Sequence, residues 1–190
     1  MKKLIGFVLI AIVGCSQYDE EEALNIYFDL DTILQNQISH LKATNPTVTK
    51  KVELNGETEK TETKIDTGYW ATELNLFIEA DINKPSFVGA FTEERNGNLV
   101  TYSRKDSNAD GVQKFIVELF PASEQPKEIN ISTKNINSLY ESSRTLSLKF
   151  KLADILQLTG YQVAGKQKIL SQEPTKYLVD VQIDYQNRMP

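Results

Sequence analysis

Apolar residues recur at steps of three and four in the first part of the chain and at steps of two afterwards. Over residues 19–43 the first spacing predicts an amphipathic helix, which Asn45-Pro46 would end. A second helix is predicted from about Tyr69 to Asp81, with Thr67 as its N-cap. Its apolar stripe is formed by Trp70, Leu74, Phe77 and Ile78.

The alternation of apolar and polar residues predicts β-strands with one face exposed to solvent. Residues 47–65 predict a hairpin that turns at Asn55-Gly56. Its second strand, Thr58–Lys64, is polar on both faces and is therefore expected at an edge of the sheet or protruding from it. Further strands are predicted at Phe87–Glu94, Asn98–Lys105, Val112–Phe120, Glu128–Thr133, Thr145–Leu152, Tyr161–Leu170 and Tyr177–Tyr185.

This order of elements predicts an α+β fold, with two N-terminal helices packed on a strongly bent, largely antiparallel sheet of six to nine strands. The sequence has no regular βα alternation and no glycine-rich phosphate turn, which argues against a doubly wound fold. A bent sheet with helices on its concave side is similar to the open barrels of periplasmic lipoprotein carriers. That likeness is architectural and implies no activity.

The first residues have a pattern of their own. Lys2 and Lys3 precede the apolar run Leu4–Val13, whose ten residues would span about 15 Å as a helix. That length is half of a bilayer core and typical of the apolar part of a signal peptide. The run ends in Ile12-Val13-Gly14-Cys15, which resembles the lipobox of bacterial lipoprotein signal peptides.

The resemblance implies that the Cys15 thiol becomes a thioether to a diacylglyceryl group and that residues 1–14 are removed. The new amino terminus would then be acylated, for example with palmitate. Two or more acyl chains anchor a protein stably, at about 0.8 kcal/mol per buried CH₂. The alternative is an ordinary secretory signal in which Cys15, the one cysteine of the sequence, is incidental.

The residues after Cys15 bear on location. Ser16 stands where inner-membrane retention in enterobacteria favours Asp, so the resemblance implies the outer membrane. The run Asp19–Glu22 resembles the acidic export tract of surface-exposed Bacteroidota lipoproteins, although acidic residues also favour the first turn of a helix. Periplasmic and surface-facing locations therefore both stay open. Trp70–Pro85 and Gly165–Lys168 are similar to uncharacterised Bacteroidota lipoproteins, which implies no activity.

The predicted organisation is a signal peptide at 1–14, a lipidated acidic tether at 15–22 and a single α+β domain at 23–190. A content of 40% hydrophobic and 25% charged residues is typical of a packed domain. The net charge of −5 becomes −7 when Lys2 and Lys3 are removed, which argues against nucleic acid as a partner. The expected partners are the membrane, through the lipid, and a protein or a small apolar ligand.

One segment has the spacing of a calcium loop. The six residues 106–111, Asp-Ser-Asn-Ala-Asp-Gly, match its opening, in which Asp106, Asn108 and Asp110 would converge on one cation. The twelfth position is Val117 instead of Glu, and strands flank the loop where an EF-hand has helices. Asp, Asn, Ser and Gly also favour a plain hairpin loop, so we expect no metal here, with calcium as the alternative.

The residue inventory limits catalysis. His40 is the one histidine, expected on the polar side of the first helix in a structural or neutral role. Asp180 and Asp184 are expected on the wet face of the last strand. The sequence favours a non-enzymatic envelope protein without a cofactor; the alternative is an envelope hydrolase using paired carboxylates. An apolar cavity would indicate a carrier, and two carboxylates about 5–10 Å apart in a cleft would indicate a hydrolase.

Overall fold

The computed structural model describes residues 25–170 and 172–185. Nine strands form one sheet in the order β2-β1-β9-β8-β7-β6-β5-β4-β3, and every neighbouring pair is antiparallel. The molecule is therefore β-rich and antiparallel, as the alternation predicts. The strands are β1 (Thr47–Leu54), β2 (Glu57–Lys64), β3 (Phe91–Asn96), β4 (Leu99–Arg104), β5 (Gly111–Leu119), β6 (Pro126–Ile136), β7 (Tyr140–Leu152), β8 (Leu156–Ile169) and β9 (Thr175–Asp184).

The first helix, α1 (Leu30–Thr44), begins later than the predicted 19–43. Asp29 caps it by accepting a hydrogen bond from the Thr32 amide at 3.0 Å. Before the cap the backbone is not helical, because the Asn83 side chain accepts from the Tyr27 amide and donates to the Phe28 carbonyl. The predicted end is confirmed by Asn45, which adopts a left-handed conformation with φ of 45°. Residues 19–24 lie outside the described residues.

The second predicted helix, from Tyr69 to Asp81, is broken. A 3₁₀ turn at Thr67–Tyr69 leads into α2 (Trp70–Glu73) and then α3 (Asn75–Glu79). Asp66, instead of the predicted Thr67, caps the turn through the Gly68 amide at 2.9 Å. The break is at Leu74, whose ψ of 5° departs from helix geometry. Trp70, Leu74 and Phe77 are fully buried as predicted, so packing overrides local helix periodicity here.

The strand boundaries follow the turn residues. Asn55 and Gly56 both have positive φ, 50° and 95°, and form the predicted hairpin turn. β2 is exposed along its whole length and lies at the edge of the sheet, as its polar sequence predicts. The strand predicted at Phe87–Glu94 begins only at Phe91, because a 3₁₀ turn (Pro85–Phe87) and Gly89 with φ of 69° precede it.

One face of the sheet, which we call the inner face, carries the core. Cross-strand partners on it form a row of buried residues that crosses six strands: Val100, Val117, Ile129, Leu148, Tyr161 and Val181. Helical segments pack on the β8 part of this row: α1 contacts β8, and the Phe77 ring of α3 lies edge-on to Tyr161 with ring centroids 5.9 Å apart. Gln37 of α1, which is 4% exposed, donates to the Leu156 carbonyl and accepts from the Leu158 amide, and so fixes α1 to β8.

Candidate ligand-binding cavity

The inner face becomes polar two rows away from the buried row. There the cross-strand partners Arg144, Gly165 and Tyr177 lie side by side on β7, β8 and β9. A Cβ at Gly165 would lie 2.5 Å from Cζ of Tyr177, so the Tyr177 side chain extends directly over the glycine. Its hydroxyl accepts a hydrogen bond of 3.0 Å from Nε of Arg144. The glycine therefore allows Tyr177 to reach across β8 and hold the guanidinium.

A cavity of about 190 Å³ lies beside Arg144. The sheet contributes one wall from β5, β6 and β7, and the chain around α3 contributes the other. The sheet residues are Gly111, Val112, Thr133, Asn135, Arg144 and Leu146, and the opposite residues are Leu76, Glu79, Ala80 and Phe87. The lining is thus mixed: six apolar residues, two uncharged polar residues, one cation and one anion.

Two side chains at this end of the inner face, Arg144 and Ser142, have polar atoms without a hydrogen-bond partner among the described residues. The bond from Nε is the one hydrogen bond that the Arg144 side chain makes among residues 25–170 and 172–185. Ser142 is 2% exposed and shares the face with Arg144, two residues away; its Oγ has no partner in the described chain. Since buried polar groups are normally paired, this region has unused capacity for a polar ligand.

Glu79 supplies the negative charge of the cavity and stands at its rim. Its side chain is exposed, and Oε1 accepts a hydrogen bond of 2.7 Å from Asn75. Across the described part of the chain, no ion pair joins Glu79 to Arg144. The guanidinium therefore keeps its charge available to the cavity.

A second polar cluster ties the helical segments to the sheet. Glu73 of α2 accepts hydrogen bonds from Lys50 at 3.1 Å and from the Tyr161 hydroxyl at 2.6 Å. Burial, and then the Glu73 carboxylate, raise the pKa of Tyr161, so its hydroxyl stays a donor. The sequence carries a signal for this cluster, because Lys50 interrupts the apolar alternation of Val48 and Val52 on the inner side of β1. Lys50 and Tyr161 both donate hydrogen bonds to Glu73, which indicates that the cluster has a structural role.

The loop at 106–111 joins β4 to β5, and its carboxylates accept backbone hydrogen bonds. Asp106 accepts from the Asn108 amide at 2.9 Å, and Asp110 accepts from the Ile136 amide at the end of β6 at 2.8 Å. Across the described residues, no three His, Cys, Asp or Glu side chains are grouped so that they could hold a metal ion. That calcium does not bind here stays a prediction.

The remaining predicted residues lie apart from the cavity. His40 is half-buried against Tyr185, with ring centroids 5.4 Å apart, and its Nε2 is 3.4 Å from the Gln157 amide nitrogen. Asp180 lies on the outer face within 3.4 Å of the Gln162 amide, and Asp184 is exposed. Cys15 and the acidic run after it lie outside the described residues.

Asp81 is the carboxyl group in the described chain whose pKa most clearly departs from its ordinary value. Burial raises the pKa, and the negative charges of Asp31 and Asp29 near the start of α1 raise it further. The Asn83 amide, which donates to Asp81, opposes the shift. Asp31 is exposed and Asp29 caps α1, so these carboxylates belong to the junction between α1 and the chain after α3.

Comparisons of the chain with protein-family models, with curated proteins and with solved structures gave no match. Among the described residues, none of the helices combines the length and the apolar character that crossing a bilayer requires. A functional interpretation therefore depends on the residues and on the cavity.

Proposed function

We propose that this protein is a lipid-anchored outer-membrane protein that binds a small ligand in the cavity beside Arg144 and catalyses no reaction. The helical segments and a strongly bent sheet would together enclose that ligand. One observation carries the proposal: a cavity of about 190 Å³, lined by apolar and polar residues, adjoins a guanidinium whose terminal nitrogens have no hydrogen-bond partner in the described chain. Binding sites typically combine apolar walls with a few placed polar groups.

The proposed location at the membrane rests on the N-terminal sequence. The pattern Ile12-Val13-Gly14-Cys15 supports lipidation, and residues 15–22 would then form the tether between the acyl chains and the domain. An anchored domain is concentrated at the membrane surface, which raises the rate at which it meets ligands or partners there.

The rival function is an envelope hydrolase that uses paired carboxylates. Such an enzyme needs two carboxyl groups facing one cleft. Of the ten residues that line the cavity, Glu79 is the one acidic side chain. The perturbed carboxyl group, Asp81, is not among them. The composition of the cavity therefore favours binding over hydrolysis.

The anchor is tested with Cys15→Ser in the full chain. The substitution should abolish labelling by palmitate and release the protein from the membrane fraction. Ser16→Cys in the Cys15→Ser background is the control, because it restores a thiol one residue away from the predicted position. The lipoprotein proposal is wrong if the intact protein takes up no palmitate and Cys15→Ser remains bound to membranes.

The cavity is tested with benzamide, a neutral aromatic probe, by following amide chemical shifts. Benzamide should shift resonances at Ala80, Val112 and Thr133. Ala80→Leu, which fills a buried wall, should abolish those shifts while the rest of the spectrum stays folded. Ala153→Leu makes the same change at an exposed position and should leave binding intact. Shifts that survive Ala80→Leu, or that are absent with both benzamide and its carboxylate analogue benzoate, would show that this cavity is not a binding site.

A further inference from the structure

We propose that the ligand is a small monocarboxylate with an apolar body about the size of benzoate, and that Arg144 selects its carboxylate. This inference rests on the proposed function, because it assigns a ligand class to the same cavity. It follows from three features of the cavity: an oriented guanidinium, apolar walls and a single negative charge at the rim.

The guanidinium is held in a fixed orientation. Its Nε donates to the Tyr177 hydroxyl at 3.0 Å, and Gly165 gives Tyr177 the space to reach that position. A guanidinium is planar, so the hydrogen bond at Nε restricts the directions in which the two terminal nitrogens can point. Those nitrogens match the two oxygens of a carboxylate, which they bind through a pair of parallel hydrogen bonds.

Neighbouring side chains add hydrogen-bonding capacity on the same wall. Thr133 is the cross-strand partner of Arg144, and Asn135 is the partner of Ser142. Thr133 and Asn135 both line the cavity. Neither side chain makes a hydrogen bond to another described residue. A hydroxyl and an amide beside the guanidinium would complete the coordination of an anionic head group.

The apolar walls of the cavity favour a ligand that has an apolar part besides its carboxylate. Leu76, Phe87, Val112 and Leu146 line the cavity, and a fully hydrated anion would leave these surfaces in contact with water. A cavity of about 150 Å³ accommodates benzene. A volume of about 190 Å³ therefore suits one aromatic ring, or a branched chain of similar size, together with a carboxylate.

The rim limits the charge of the ligand. Glu79 lies at the cavity with an exposed carboxylate, so a second negative charge on the ligand would be repelled by a like charge. One carboxylate pairs with Arg144, whereas a dianion such as phosphate is disfavoured by both Glu79 and the apolar walls.

The test uses the full-length protein and three probes: benzoate, benzamide and inorganic phosphate. Benzoate should bind about tenfold more tightly than benzamide, its neutral analogue of equal shape, and phosphate should bind more weakly than benzoate. Arg144→Gln should remove the preference for benzoate, so that benzoate and benzamide bind with similar affinity. Tyr177→Phe should reduce the preference in part, because it releases Nε but keeps the charge.

Lys149→Gln is the matched control, since it removes one positive charge from the outer face of the same strand and should change nothing. If Arg144→Gln does not fold, Arg144→Lys is used instead. It keeps the positive charge but lacks the two terminal nitrogens that bind a carboxylate in parallel, so it should bind benzoate more weakly than the parent. Equal affinity for benzoate and benzamide in the parent would overturn the carboxylate inference alone. If phosphate bound as tightly as benzoate, the inference that the ligand has an apolar part would be wrong. Absence of binding by both aromatic probes would instead contradict the proposed function.

Discussion

Tyr177 lies so close to the backbone of Gly165 that a Cβ at residue 165 would be 2.5 Å from both Cζ and Oη of the tyrosine. The two residues are direct cross-strand partners on β8 and β9. An aromatic side chain placed over a strand glycine compensates for the side chain that glycine lacks. The Tyr177 hydroxyl then accepts from Arg144, so one glycine links the packing of β9 to the cation of the cavity.

Gly165→Ala should therefore destabilise the protein by about 1–3 kcal/mol, the usual cost of overpacking. The added methyl group displaces Tyr177 and removes the hydrogen bond that positions Arg144. Urea unfolding measures the loss, and benzoate titration of the same variant should show weaker binding than the parent.

The control separates the clash from an effect of glycine itself. Tyr177→Ala removes the clashing atoms, so Gly165→Ala should cost less in that background than in the parent. Gly160→Ala should cost more than Gly165→Ala, because its Cβ would meet the Val181 carbonyl at 2.6 Å and backbone cannot swing aside. Equal costs at the two glycines would contradict this account.

The cluster around Glu73 makes a second prediction. Tyr161→Phe should cost about 1 kcal/mol, the net value of one hydrogen bond. Glu73→Ala should cost more, about 1–3 kcal/mol, because it deprives both Tyr161 and Lys50 of their partner. Glu59→Ala on the exposed strand β2 should change the unfolding free energy by less than about 0.5 kcal/mol. A loss for Glu73→Ala no greater than that for Glu59→Ala would show that the cluster does not stabilise the fold.

The alternation of apolar and polar residues within single strands is enough to predict most of the sheet. The polar strand Glu57–Lys64 is at an edge because its side chains cannot be buried on either face. Lys50, in contrast, occupies an inward position at which its neighbours on β1 are valines. A lysine at an inward position indicates a polar cluster on this face. The sequence does not show that Glu73 is the carboxylate with which Lys50 pairs.

The cavity has no local signature of this kind. Arg144, Gly165 and Tyr177 are brought together by the register of three strands, which alternation within one strand does not determine. The late start of α1 is likewise decided by a tertiary contact, the Asn83 side chain bound to the chain before α1. Long-range hydrogen bonds of this kind override helix propensity. Leu74, at which the second helix breaks, is fully buried.

Asp81 makes the stability depend on pH. Its pKa is raised in the folded protein, so its contribution to stability is complete below 3.8, the ordinary value, and is lost as the pH rises through the raised pKa. Asp81→Asn should therefore be more stable than the parent at neutral pH, since asparagine keeps an acceptor for the Asn83 amide. The gain should vanish below pH 3.8. Asp184→Asn, at an exposed position, should show no such dependence; a constant gain for Asp81→Asn at all pH values would contradict the mechanism.

Asp110 is predicted to act through a backbone hydrogen bond and not through a cation. Its carboxylate accepts from the Ile136 amide at 2.8 Å and so joins the loop before β5 to the end of β6. Asp110→Ala should cost about 0.5–1.5 kcal/mol, equally with and without calcium. If the loop bound calcium with a dissociation constant near 10⁻⁴ M, about 10 mM calcium would add about 2.7 kcal/mol. We expect no such gain, because Val117 replaces the glutamate that completes a calcium loop. A rise in Tm with calcium that disappears in Asp110→Ala would make this loop a metal site.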